Sequence, residues 1–355
     1  VSATTRGIFI TNIQIAKAGS YVATYTNTSN GVSTHVFTIT VSGEGGTSGG
    51  FNIIGNQLWD ANGTNFIMKG INVPLAWFVN DVTNNIANIR NRTHSNTLRI
   101  VVSTSTADAD WQAAVTRTIA NSMIPLVELH SVTGSNNPED LQRMAEWWAS
   151  KASYLRRPEI ARYILVNIAN EWGDWYMASP NHPPSETVWR DAYINAIRTI
   201  RNAGINTTLV VDAPGYGQDN RAYSLLNYAD DVQAADPRHN ILFSVHMYCE
   251  WRKGGSSSVS TLLPQIKNSG IPIIVGEFGF QHAADGSCDI DEQLIMNTCQ
   301  ANGIGWLAWS WKGNGGNSYY LDLSNDWAGT SLTSWGNTVV NGTNGTKTSV
   351  TASVF

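Results

Sequence analysis

The 355-residue sequence predicts an α/β protein, a TIM (β/α)8 barrel preceded by a small, β-strand-rich, immunoglobulin-like segment. Three observations carry this expectation. From Phe66 onward, strand-like runs recur at 66–72, 97–102, 124–130, 163–170, 208–213, 241–247, 272–277 and 304–309, with helix signals between most of them. The run Tyr163-Ile-Leu-Val-Asn-Ile-Ala169 has the length and β-branched content of a buried parallel strand. A doubly wound sheet is the alternative, but no Gly-rich phosphate loop follows the first strand.

Residues 1–42 alternate in the strand manner over Gly7–Ile10, Tyr21–Tyr25 and His35–Val41, with turn residues at Ala18-Gly19 and from Asn27 to Gly31. The stretch Ile13–Tyr21 resembles the tyrosine corner of immunoglobulin-like domains. Three strands are less than half such a domain, so the segment is expected to be structural and to lean on the barrel. A sugar-binding module is the other reading. Residues 43–50 form a Gly-rich linker, and the catalytic domain is expected over 51–355. It opens with a hairpin, Phe51–Ile54 and Asn56–Asp60. Asn137-Pro138-Glu139 reads as a cap with Pro at the first helical position, opening a helix to Tyr154. Ser185 opens another helix, with Val188, Ile197 and Ile200 on one stripe and Gly204 as its stop; Gly303 closes the one holding Met296 and Cys299.

Charged residues are only 14% and the net charge is −5, so neither nucleic acid nor an anionic membrane is suggested as a partner. No run of about 18 apolar residues is present to span a membrane. The sequence starts at Val1 without Met or a signal-like segment and reads as a mature or trimmed form. Low Lys, abundant Asn, Thr, Ser and Gly, and three Cys fit a secreted protein. The 14 Trp and 12 Tyr serve packing one by one, but those near strand ends suggest a cleft that stacks sugar rings.

Polar residues gather where strands end. Arg99 lies near the end of the second run, His130 ends the third, and Asn170 and Glu171 end the fourth. His246 and Tyr248 share a face of the sixth by the two-residue period, and Glu277 ends the seventh. Three Trp close the eighth in Gly305-Trp-Leu-Ala-Trp-Ser-Trp311. Any one of these could be structural, but buried polar groups cost free energy unless paired, so such ends together argue for a site. Two glutamates at the mouths of two buried strands suit glycoside hydrolysis, which needs a proton donor and a nucleophile or base about one bond.

The ordered set Lys69-Gly-Ile-Asn72, Leu98-Arg-Ile100, Asn170-Glu-Trp172, His246-Met-Tyr248, Gly276-Glu-Phe-Gly279 and Gly305–Asn314, with Tyr320–Ser324 and Asp326–Gly329, resembles glycoside hydrolase family 5, and within it the bacterial endo-β-mannanases, over residues 51–355. The resemblance implies a retaining endo-β-1,4-mannanase with Glu171 as acid/base and Glu277 as nucleophile, acting on mannan, galactomannan and glucomannan. The acid must be protonated near neutral pH and the nucleophile ionised, the latter favoured by donors such as Arg99 and Tyr248. Asn170 would bind the sugar 2-hydroxyl, while His130 and His246 would orient substrate and carboxylates. Trp309 would be the stacking floor, Trp172 and Trp175 candidates for leaving-side contacts, and Trp77 a further substrate contact. Where relatives often carry histidines this chain has Val73-Pro-Leu75, and Ser131 stands where they often have Asp.

Cys249 and Cys288 fall in neighbouring loops and are expected to form a disulfide, with Cys288–Cys299 as the rival pair. Neither a cofactor nor a metal is expected, His282 reads as a cleft or loop residue, and the chain is expected to act as a monomer on β-mannan or manno-oligosaccharides. An endo-β-1,4-glucanase and a non-catalytic polysaccharide-binding protein are the alternatives.

Overall fold

The computed structural model describes residues 2–4, 7–9, 19–27, 33–41, 49–178, 185–255 and 258–349, the first four stretches by backbone alone. The chain divides into two compact units, residues 1–47 and 48–355. In the first, β1 (Ser2–Thr4) pairs antiparallel with β2 (Gly7–Phe9), and β3 (Gly19–Asn27) with β4 (Ser33–Val41), Tyr21 facing Ile39 and Tyr25 facing His35. The tyrosine-corner residues before Gly19 and the linker before Gly49 lie outside the described residues.

In the second unit the hairpin β5 (Asn52–Ile54) and β6 (Gln57–Trp59) comes first. Eight parallel strands then close into a barrel in sequence order: β7 (Lys69–Val73), β8 (Thr97–Val102), β9 (Ile124–Leu129), β10 (Leu165–Asn167), β11 (Leu209–Asp212), β12 (Ile241–Met247), β13 (Ile273–Phe278) and β14 (Gly305–Ala308). Helices fill every crossover, as parallel strands require. They are α1 (Val79–Thr93), α2 (Asp108–Ala120), α3 (Pro138–Ser150), α4 (Ala152–Leu155), α5 (Pro158–Ala161), α6 (Ser185–Asn202), α7 (Tyr223–Ala235), α8 (Val259–Asn268) and α9 (Glu292–Asn302), with α10 (Ser334–Asn341) and α11 (Thr346–Ser349) after the last strand. Asn137 caps α3 by accepting the Glu139 N–H, but the expected helix to Tyr154 divides at Lys151. Gly204 and Gly303 both sit at positive φ just past their helices, where a side chain would be strained.

Alternation along the strands builds two cores. Ile71, Leu98, Ile100, Val127, Val166, Val211, Val245 and Val275 point outward and pack with helix residues such as Ile86, Trp111, Trp148, Trp189 and Ile266. Ile124, Leu126, Leu165, Val210, Leu242, Ile274 and Leu307 point inward and pack with Phe51, Leu58, Phe66 and Met68, so the hairpin closes the barrel at its amino-terminal end. Above that apolar plug the inward positions turn polar. Asn72, Arg99, Glu128, Asn167, Asp212 and Ser244 are all at most 1% exposed.

One irregularity decides the site. Between β12 and β13 the register slips, so that Val245 faces Val275 but His246 faces Glu277. Gly276 is the extra residue, a β-bulge, and it turns Glu277 to the interior where strict alternation would send it out. A Cβ on Gly276 would lie 2.2 Å from Ser244 Oγ, so a larger residue there would have to push the Ser244 side chain aside.

Candidate active site

Arg99 stands at the centre of the polar layer. Its Nη1 donates to Glu277 Oε1 at 2.7 Å and to Asn72 Oδ1 at 2.9 Å. Its Nη2 donates to Asn167 Oδ1 at 2.9 Å and to Asn170 Oδ1 at 2.8 Å. Glu128 and Asp212 lie 3.7 and 3.6 Å away. Burial works against the guanidinium charge, yet Glu128, Glu277 and Asp212 outweigh it and raise the Arg99 pKa. The other oxygen of Glu277 accepts the Tyr248 hydroxyl at 2.8 Å. Glu277 thus receives one charge-assisted and one neutral hydrogen bond while only 4% exposed, which fixes both its oxygens in place.

Glu171 follows Asn170 at the carboxyl end of β10. Its φ of 49° is in the left-handed region, rare for a residue with a side chain, and its N–H donates to Asp212 Oδ2 at 3.0 Å. Its Oε1 accepts from His246 Nδ1 at 2.7 Å. His246 is fully buried, with Glu277 Oε2 3.7 Å from Nδ1 and Asp212 Oδ2 3.5 Å from Nε2. Burial pulls its pKa down, but Glu277, Asp212 and Glu171 together carry it to about 9, so the ring is an imidazolium at neutral pH. One carboxylate oxygen each of Glu171 and Glu277 and a ring nitrogen of His246 fall within 4.8 Å of one another. Paired carboxyls at about 5–5.5 Å act by retention, whereas inversion needs about 6.5–9.5 Å to admit a water. Among the described residues this is also the one cluster compact enough for a cation. It is poorly suited, because a protonated Nδ1 has no lone pair to offer and both Glu277 oxygens are engaged.

Aromatic walls flank the carboxylates. His130 is held by Glu128 Oε1, 3.0 Å from its Nδ1, and sits between Trp77, edge-on at 5.3 Å, and Trp309, stacked at 6.2 Å. Burial lowers the His130 pKa, but Glu128 more than reverses this and it is raised. Trp309 is half-buried, its Nε1 donating to Asn314 Oδ1 at 2.9 Å, while Trp77 is 56% exposed. On the β10 and β11 loops, Trp175 is 42% exposed and lies tilted on Tyr216 at 5.4 Å.

The sequence profile described as Cellulase (glycosyl hydrolase family 5) matches residues 59–315. The chain belongs to this family. It is 39% identical over 316 residues to a mannan endo-1,4-β-mannosidase of Salipaludibacillus agaradhaerens, covering 86% of this chain and 96% of that protein. The β-mannanase of Thermomonospora fusca superposes with a TM-score of 0.77 at 32% identity, covering 86% of this chain and 98% of that one. A mannohexaose complex of the same T. fusca enzyme gives 0.75 over the same shares.

On this family 5 barrel, Arg99, Asn170, Tyr248 and Glu277 form one hydrogen-bonded set, Glu171 and His246 a second that joins it through Asp212 and Asn167, and His130, Trp77 and Trp309 one wall. Trp172 is a correction. It is fully buried, its Nε1 donates to Asn137 O at 3.2 Å, and it packs edge-on against Tyr193 in the outer core, so it offers no face to a sugar. The left-handed turn at Glu171 breaks the strand alternation, and Trp172 follows it outward. At the two departures from relatives, Leu75 is buried and Ser131 Oγ accepts the Thr104 N–H at 2.9 Å. Cys249 and Cys288 are disulfide-bonded, with Cα atoms 5.1 Å apart, and Cys299 is a buried free thiol. Closing a loop of 39 residues this way restricts the unfolded chain by about 4 kcal/mol. Asn72, Glu128, Asn167 and Asp212 were not expected in the site. Their signals were present: Glu128 precedes His130 by the strand period of two, and Asp212 lies next to the end of the fifth run.

Proposed function

We propose that the chain is a retaining endo-β-1,4-mannanase, cutting internal bonds of mannan, galactomannan and glucomannan by double displacement. The observation that carries the mechanism is the pair of carboxylates within 4.8 Å, one held by Arg99 and Tyr248 and the other by His246. Glu277 attacks the anomeric carbon as Glu171 protonates the departing oxygen, leaving a glycosyl ester on Glu277. Glu171 then takes a proton from water, which attacks the same carbon and frees Glu277. The 2.7 Å bond from His246 Nδ1 holds the Glu171 carboxyl in position for the leaving oxygen. Asn170 donates one N–H to Thr133 Oγ1 at 2.9 Å and has a second to offer the sugar 2-hydroxyl. Trp309 gives the sugar a stacking face beside the cleaved bond, with Trp77 and His130 on one side and Trp175 on the leaving side.

Support for mannan as the substrate comes from the relatives named mannan endo-1,4-β-mannosidase and from the mannohexaose complex of the T. fusca enzyme. The family's description as Cellulase keeps an endo-β-1,4-glucanase as the second reading. Reducing-sugar release from linear mannan, galactomannan, glucomannan and carboxymethylcellulose, side by side, decides between them. Fastest release from the mannans is expected, and faster release from carboxymethylcellulose overturns the mannan reading. We also propose that the enzyme is secreted and works as a monomer; a disulfide, which persists in oxidising surroundings, supports secretion. Residues 1–42 are proposed to be an immunoglobulin-like structural segment joined by the linker 43–50.

A further inference from the structure

His282 stands outside the machinery described so far. Its ring stacks on that of Tyr248, with centroids 4.6 Å apart and planes at 28°. Tyr248 is 6% exposed, while His282 is exposed on its outer side, so the imidazole roofs the phenol at the rim of the cleft. The loop carrying His282 is fastened to the loop carrying Tyr248 at several points. The residue after Tyr248 is Cys249, bonded to Cys288, and the carbonyl of Cys288 accepts the His282 N–H at 3.0 Å. Lys253 N–H donates to Asp289 O at 2.8 Å, and bridges join Gln281 to Asp289 and Arg252 to Ile290.

A phenol reaches its hydroxyl position through two torsions, so its ring face must be fixed for the hydroxyl to stay on one carboxylate oxygen. Arg99 needs no such help, because its fork is held at four points by Asn72, Asn167, Asn170 and Glu277. Among the described residues the Tyr248 hydroxyl has one hydrogen-bond partner, Glu277 Oε2. We infer that His282 is a positioning residue: its ring, held by the disulfide-closed loop, fixes the Tyr248 hydroxyl on Glu277. The inference rests on Glu277 being the nucleophile. It acts through the attacking group rather than through the sugar, so it is felt in kcat more than in KM.

The test uses His282→Ala, His282→Phe, Tyr248→Phe and the double variant His282→Ala/Tyr248→Phe, in the full chain. Kinetics are read on whichever polysaccharide the unaltered enzyme cleaves fastest, so an error in substrate class leaves the test intact. His282→Ala is expected to lower kcat about tenfold with KM within about twofold, since small misplacements of a reacting group cost this much or more. His282→Phe keeps a ring on the phenol and is expected to recover most of the loss. In the Tyr248→Phe background, His282→Ala is expected to add nothing, the mark of residues acting through one another. An equal loss in both backgrounds, a loss confined to KM, or no recovery with His282→Phe overturns the inference. A crystal structure of His282→Ala gives a readout free of activity: the hydroxyl is expected beyond hydrogen-bond distance of Glu277, and a hydroxyl still in place also overturns it. An error in the nucleophile itself shows separately, as full activity in Glu277→Ala.

Discussion

Arg99→Lys keeps the charge at the centre of the barrel and removes the fork. Two terminal nitrogens of Arg99 reach four oxygens at 2.7–2.9 Å, on Asn72, Glu277, Asn167 and Asn170. A lysine ammonium is one point with three donors and can serve one side of that set, not both. At least two buried acceptors then lose their donor, at about 1–3 kcal/mol each, so folding stability should fall by roughly 2–6 kcal/mol. The bond to Glu277 is charge-assisted and worth about 1.5–3 kcal/mol; its loss corresponds to about a 10- to 150-fold drop in kcat. Urea unfolding and initial rates on linear mannan read the two effects from one preparation. A variant with an unchanged midpoint and kcat within about twofold would refute the role given to the fork.

Glu277→Ala should lose nearly all activity without unfolding; Glu171→Ala should recover turnover with azide on substrates whose leaving group departs unprotonated. Full activity in the first, or no azide product in the second, removes that residue from its role. His246 has a folded pKa of about 9, above the roughly 6.5 of an exposed imidazole. Its ion pairs therefore stabilise the fold fully below about pH 6.5, and roughly 3 kcal/mol is lost as pH rises through about 9. Melting temperature followed from pH 6 to 10 should fall more steeply for the unaltered chain than for His246→Gln, and parallel curves contradict the assignment. Deleting residues 1–45 should lower the melting temperature while leaving turnover on soluble mannan unchanged. Unchanged melting with lost retention on insoluble mannan would make the segment a binding module.

The barrel was legible because its strands are buried on both faces and read as largely apolar runs, with polar residues gathering toward their carboxyl ends. Period-two reasoning placed His246 with Tyr248 and could have placed Glu128 with His130. It could not place Glu277. Counting from Val275, alternation turns Glu277 away from the cleft, and only the slipped register beside Gly276 brings it in. Such a bulge lies in the pairing of two strands, which a single strand's residues do not encode. Trp172, expected as a leaving-side contact, departs for a related reason: the left-handed turn at Glu171 sends it outward. The buried layer of Asn72, Glu128, Asn167 and Asp212 was hidden because each residue looks like an isolated polar interruption until Arg99 joins them.

The central claim is retention by Glu171 and Glu277, and the anomeric form of the first product tests it most directly. Proton NMR on a manno-oligosaccharide, recorded faster than mutarotation, resolves the two anomers as the bond is cut. Carboxylate oxygens within 4.8 Å predict that the β-anomer appears first and the α-anomer only as it equilibrates. An α-anomer formed first would contradict the account, because inversion is a single displacement by water that forms no ester on Glu277.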